Sequence, residues 1–297
     1  MTNQHPRIGV VTDSNADVPP DLRDRYGIVV APLIVHFGQE QYRDGIDITA
    51  REFFARLRAG DVLPTTSQVS TSGWTAAYLQ AIEQARAAGT ELTGLIVVTI
   101  ASSLSGTYSA ACAAAAAMDI PVEVIDSQQI SLASGWLVIA AAQAAQEGCS
   151  LPEIAARLRA MVPRIRLWGM LDSLDHVQRG GRIGKGAALL GTLLNVKPML
   201  QILEGEVLPL GRVRTRQRAL QTLVEMLVAE MPVEAVAVIH SDLPAAAEEL
   251  ADRVAQVWPR ERLLMAEIGP VLGAHLGPGA IGLSCVKSHA QTNPIAV

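Results

Sequence analysis

Hydroxyl side chains are concentrated in two places in this chain. Ser102, Ser103, Ser105, Thr107 and Ser109 follow the apolar, β-branched run 96–100, and Thr65, Thr66, Ser67, Ser70, Thr71 and Ser72 crowd a second stretch. The run 96–100 reads as a buried strand. The alanine-rich stretch 110–118 reads as a helix, so the first cluster sits where a strand turns into a helix. The first amides of a helix have no partners within it, and its dipole favours negative charge there. Alcohols and free amides at such a corner suit a phosphate or carboxylate, and in open α/β sheets ligands bind at this kind of corner. One helix cap would use one hydroxyl; five are present. The second cluster also precedes a helix, over 74–88, so both are expected to converge on one anion.

Two further residues belong with this chemistry. Asp13 ends the first strand, at 7–12, and either lines the same cleft or makes an Asx turn. His275 lies in Gly273-Ala274-His275-Leu276-Gly277-Pro278-Gly279, read as a loop held by glycines over 269–279. It either donates to an anion or faces solvent. Several catalytic signatures fail. Gly184-Lys185 lacks both the upstream Gly and the downstream Ser or Thr of a phosphate loop. Ser103-Leu104-Ser105-Gly106 has Ala101 where a nucleophile elbow needs Gly. The stretch Gly277-Pro278-Gly279-Ala280-Ile281-Gly282 matches a dinucleotide pattern but precedes a strand rather than a helix. No His, Asp or Glu spacing calls for a metal, and no carboxylate pair for acid–base work is evident.

The elements that must carry these residues alternate. Strands are expected over 7–12, 28–35 (interrupted by Pro32), 95–100 and 121–125. Helices are expected after Asp47, over 74–88, 105–118, 132–147 and 151–161, and 39–45 reads as a polar turn. This alternation predicts an α/β domain with a mainly parallel sheet and flanking helices over 1–158. The pattern then changes. A strand at 165–171, the basic loop 179–186, a helix at 187–194, a hairpin around Glu204-Gly205-Glu206, and alternating helices and strands to 286 predict a mixed α/β domain over 159–297, with the ligand between the two.

Composition supports a large core: 297 residues, 49% hydrophobic, 18% charged and only 4% aromatic. Cys112, Cys149 and Cys285 give neither a disulfide framework nor metal spacing. No leader pattern precedes the first strand and no long apolar span appears, so a cytoplasmic location is expected. Net charge is −5, yet twelve of the 24 Lys and Arg residues lie between Arg157 and Arg218 against four acids. That field suits an acidic partner. Nucleic acid is not indicated, since aromatics are few there and no recognition motif appears.

The motifs taken together resemble the DegV family of bacterial fatty-acid-binding proteins, whose members serve as acyl carriers for a fatty acid kinase. The matching pieces run in family order: Val11-Thr12-Asp13-Ser14, Thr66-Ser67-Gln68-Val69-Ser70, Leu104-Ser105-Gly106-Thr107-Tyr108, Val124-Ile125-Asp126-Ser127, Arg179-Gly180-Gly181-Arg182-Ile183, Lys197-Pro198 and His275 with Gly277-Pro278-Gly279-Ala280. Val69 stands where the family motif has Pro, and Ala101 departs from its hydroxyl-rich spelling. The resemblance implies one long-chain fatty acid between two α/β domains. Its carboxylate would be held by Thr66, by Ser102 or Ser103, and by His275. Asp13, Ser67, Ser103, Ser105, Gly106, Thr107 and Gly277 would stand behind them.

The resemblance further implies that Arg179, Arg182 and Lys185 meet the kinase partner. Transient membrane contact is allowed. No cofactor, metal or independent catalysis is expected. Two other readings stay open. One is a binding domain for a phosphorylated small molecule. The other is a serine hydrolase or acyltransferase with His275 as base and Asp13 or Asp126 to orient it.

Overall fold

The structure, a computed structural model, describes residues 7–60, 62–189, 196–288 and 295. Strands β1 (Ile8–Asp13), β2 (Val29–Ala31), β3 (Ile34–Phe37), β4 (Glu40–Arg43), β5 (Thr65–Ser67), β6 (Gly94–Thr99) and β7 (Val122–Asp126) occupy the first half. The second holds β8 (Ile165–Met170), β9 (Lys197–Leu203), β10 (Glu206–Val213), β11 (Val233–His240), β12 (Leu263–Glu267) and β13 (Ile281–Lys287). The helices are α1 (Pro20–Tyr26), α2 (Ala50–Ala59), α3 (Thr71–Ala87), α4 (Thr107–Ala115), α5 (Ser131–Gln146), α6 (Leu151–Met161), α7 (Asp175–Arg179), α8 (Arg216–Ala229), α9 (Pro244–Val254) and α10 (Pro270–Leu276).

Three sheets form. The first is parallel, in the order β2-β1-β6-β7; the second is mixed, in the order β10-β9-β8-β13-β11-β12; the third is a small antiparallel sheet, β4-β3-β5. The fold is therefore α/β with a parallel first sheet and a mixed second one. Every residue of β6 is buried, which fits its unbroken apolar run and central place. Helix α5 is apolar nearly all round because it has no solvent face: it packs on β1 and β6 and also on β8, β11 and β13. It is the layer between the two large sheets, with α6 beside it. Helices α3 and α4 cover the outer face of the first sheet, and α8 and α9 that of the second.

Several local expectations change. The apolar run around Pro32 is two strands in different sheets, because Pro cannot donate within a ladder. The polar turn 39–45 contains β4, paired antiparallel with β3. The stretch 269–279 is not all loop: Pro270 opens a helix that runs to Leu276 and ends at Gly277, φ +72. Residues 184–189 form a tight 3-10 segment, and the rest of the helix expected at 187–194 lies outside the described residues. The hairpin at Glu204-Gly205 forms, both turn residues having positive φ.

One buried polar bond ties the layers. Trp136 Nε1 on α5 donates to Ser284 Oγ on β13 at 3.2 Å, and that hydroxyl donates to the Arg166 carbonyl at 2.8 Å. Ser284→Ala leaves the indole N–H unpartnered in the core. Unfolding in urea should show a loss of about 1–3 kcal/mol; stability equal to the parent would contradict the role given to this bond.

Candidate functional site

Between the second sheet and the corner formed by the serine turn after β6, the start of α5, β5 and α10 lies a cavity of about 390 Å³. Its walls are mainly apolar, with Ile100, Leu167, Leu200, Ile202, Ile239 and Leu272 among them. The volume falls in the range of roughly 300–1,000 Å³ usual for small-molecule sites. Polar groups gather where the cavity meets the small sheet and α10: Thr66, Ser105 and His275 line it, with Gln68 and Arg182.

Thr66 Oγ1 lies 2.8 Å from His275 Nε2. Thr66 is fixed by the ladder of β5 on β3, opposite Val35. His275 is carried by α10, which packs on α2, β3 and β5. Phe53, Phe54, Val271 and Ala274 belong to one buried cluster at that contact. Burial, and after it the nearby charge of Arg182, pulls the His275 imidazole down to about 4. The ring is therefore neutral near pH 7 and holds one proton. Nδ1 is buried and has no hydrogen-bond partner among the described residues, so the proton is better placed on Nε2, donating to Thr66. The threonine O–H is then left to donate to a ligand acceptor.

The other expected residues divide. Ser105 lines the cavity, its hydroxyl 2.8 Å from Thr107 Oγ1. Buried Thr107 is held by its carbonyl, which accepts from Trp74 Nε1 at 3.2 Å. Gly106 lies under the Gln68 amide, and a side chain there would collide with it. Ser67 lines the cavity but bonds His36 at 2.7 Å.

Ser102 does not join Thr66 and His275. Its hydroxyl and its N–H both donate to the Asp126 carboxylate, and it lines an adjoining surface cleft instead of the cavity. Ser103 donates to the Gly205 carbonyl in the same cleft. The trio expected from the sequence is thus a pair with Ser105 beside it. The reason is that Asp126, at the end of β7, captures the first serine of the corner.

Arg182 donates to the Gly180 carbonyl at 2.7 Å and to the Leu104 carbonyl at 3.4 Å, which straps the basic loop onto the serine corner. Lys185 pairs with Glu206, and Arg179 is exposed at the end of α7. Gly277 packs against the His176 ring. Among the described residues no group of His, Cys, Asp and Glu could hold a metal ion, and no helix is long and apolar enough to cross a membrane.

Asp13 and Asp44 are buried behind the site, with the half-buried Asp17 beside them. Asp13 accepts from the N–H of Ile100 at 2.8 Å and of Asn15 at 3.1 Å, so it braces the end of β6. Asp17 accepts from the Gly269 N–H and the Ser131 hydroxyl, and Asp44 accepts from Ser14 and from the Val271 backbone. The start of α10 is thus anchored by two carboxyls from the first half. Sequence reading missed Asp17 and Asp44, which look like turn residues until the chain is folded.

Burial pushes Asp13 and Asp44 each up to about 7, against the N–H and hydroxyl groups they accept from. A raised acid holds its proton in the folded state up to near pH 7, while the unfolded chain releases it near pH 4. Its contribution is therefore fully present below about pH 4 and lost as pH rises through about 7. The unfolding free energy of Asp13→Asn should gain on the parent's between about pH 5 and about pH 8. A constant difference across that range would contradict the assignment.

A model of the DegV family, described as "Uncharacterised protein, DegV family", matches residues 7–288. Protein DegV of Bacillus subtilis is 34% identical over 287 residues, covering 94% of this chain and 99% of the relative. The solved structure described as fatty acid binding of a DegV family protein from Thermus thermophilus superposes with a TM-score of 0.86 at 35% identity, over 95% of this chain and 100% of that one. A stearic acid-binding protein from Eubacterium ventriosum superposes with a TM-score of 0.83 at 26% identity, over 94% and 98%. The chain belongs to the DegV family.

Proposed function

We propose that this protein binds one long-chain fatty acid in the cavity between the serine corner, α10 and the second sheet, its carboxylate at Thr66 and His275 and its tail along the apolar wall. The observation that carries the reading is the form of the cavity: apolar along its walls, with the Thr66–His275 pair at one end. Relatives of closely similar fold are described as fatty-acid-binding.

The physics of each end agrees. A carboxylate taken out of water needs hydrogen bonds. Thr66 O–H supplies one, Ser105 lies on the same wall, and the Arg182 cation favours the charged head. Each methylene buried contributes about 0.8 kcal/mol, of which binding costs leave part. In this reading residues 1–158 bring Thr66 and Ser105, and residues 159–297 bring His275 and most of the tail wall.

The protein acts as carrier rather than catalyst. A Ser–His–Asp set is not formed by these groups: His275 bonds Thr66, and among the described residues no acid orients its Nδ1. The phosphorylated-ligand reading fits less well, because so much of the cavity wall is apolar. We assign phosphorylation of the bound acid to a kinase partner, with the basic loop around Arg179 and Lys185 as the docking face.

Two measurements test this. Thr66→Val removes the donor at the head and should weaken stearate binding in calorimetry by roughly tenfold or more; affinity equal to the parent would contradict the assigned head-group site. Arg179→Glu reverses an exposed charge. With a fatty acid kinase, phosphate transfer to the bound acid should fall while stearate affinity stays unchanged. Undiminished transfer would remove the loop from the docking face.

A further inference from the structure

Two glycines and two histidines interlock where α7 packs on α10. A methyl group placed on Gly180 would lie 2.3 Å from His275 Nδ1 and 3.0 Å from its Cε1, and one placed on Gly277 would lie 2.5 Å from His176 Cδ2. Neither ring has an easy retreat. Thr66 holds His275 from the opposite side at Nε2, and His176 hydrogen-bonds the Ala274 backbone.

The two glycines of Arg179-Gly180-Gly181-Arg182 therefore serve different ends. Gly181 has φ +68, with nothing within 4 Å of where its side chain would begin, so its reason is conformational. Gly180 has φ −70, which any residue adopts. Its reason is space.

We propose that Gly180 is a positioning residue of the acid-binding site: the gap left by its absent side chain seats the His275 imidazole so that Nε2 meets Thr66. This deepens the fatty-acid reading and rests on it for its consequence in binding. It also puts the ligand-binding imidazole against the peptide whose carbonyl holds Arg182, so the docking loop and the head-group site share one segment.

The test uses Gly180→Ala alone and combined with His275→Ala. In ligand-free protein, proton NMR follows the His275 Cε1–H titration, the resonance being identified by its loss in His275→Ala. The groups placed against the ring are Thr66 and the Gly180 backbone, with the Arg182 cation acting on it through its charge. The parent should titrate near 4. A displaced, better hydrated ring in Gly180→Ala should titrate higher, toward about 6.5.

Stearate affinity should fall roughly tenfold in Gly180→Ala relative to the parent. With His275→Ala already present the methyl has room, and the added loss should be under about twofold. An unmoved midpoint, or equal losses in both backgrounds, would overturn the proposal. Should Gly180→Ala alone not fold, His275→Ala in the same chain must restore folding; failure to do so would also overturn it. A parent that binds no stearate would fell the fatty-acid reading, while the titration still decides the place of Gly180.

Discussion

The hydrogen bond between Thr66 and His275 joins residues 209 positions apart, and nothing local in either segment creates it. It exists because α10 packs on α2 and on the small sheet β4-β3-β5, where Phe53 and Phe54 of α2 join Val271 and Ala274 of α10 in one buried cluster. Once that contact forms, a hydroxyl and an imidazole meet at the end of a cavity whose other walls are mostly hydrocarbon. An acid head cannot be left unpaired in such a place, and an alkyl tail gains by leaving water. In the proposed reading the pair meets the first demand and the cavity meets the second.

Holding α10 in place comes at a cost elsewhere. Asp13 and Asp44 are taken out of water and Asp17 partly so, and burial pushes their pKa values up. In return their oxygens bind the N–H of Ile100, the N–H groups of Gly269 and Val271 in the first turn of α10, and the Ser131 hydroxyl at the start of α5. One cluster thereby fixes the strand end beneath the serine corner, the helix between the sheets and the helix that carries the imidazole. Such a cluster behind the cavity gives Thr66, Ser105 and His275 a rigid support.

Much of this was legible in the chain. The apolar run of β6, the alanines of α4 and the uniformly apolar α5 each have one sensible place in an α/β fold, and Thr66, Ser102 and His275 stood out by type, with Ser105 placed behind them. What could not be read was direction. Ser102 and Ser105 are three residues apart in the same corner, yet Asp126 draws the first outward and the turn leaves the second on the cavity wall. The segment holding His275 looked like loop because glycines flank it, whereas Pro270 starts a short helix that tertiary packing sustains. The division of the run around Pro32 between two sheets depends on pairing with distant strands, which local propensity does not encode.

Native mass spectrometry of the protein, purified without detergent and then exposed to stearate, addresses the central claim most directly. The account predicts one long-chain acid per chain, either retained from the host or taken up on addition, and released when the head-group pair is removed by Thr66→Val together with His275→Ala. A parent that carries no lipid and takes up none, or a doubly substituted protein that holds the acid as firmly as the parent, would contradict it.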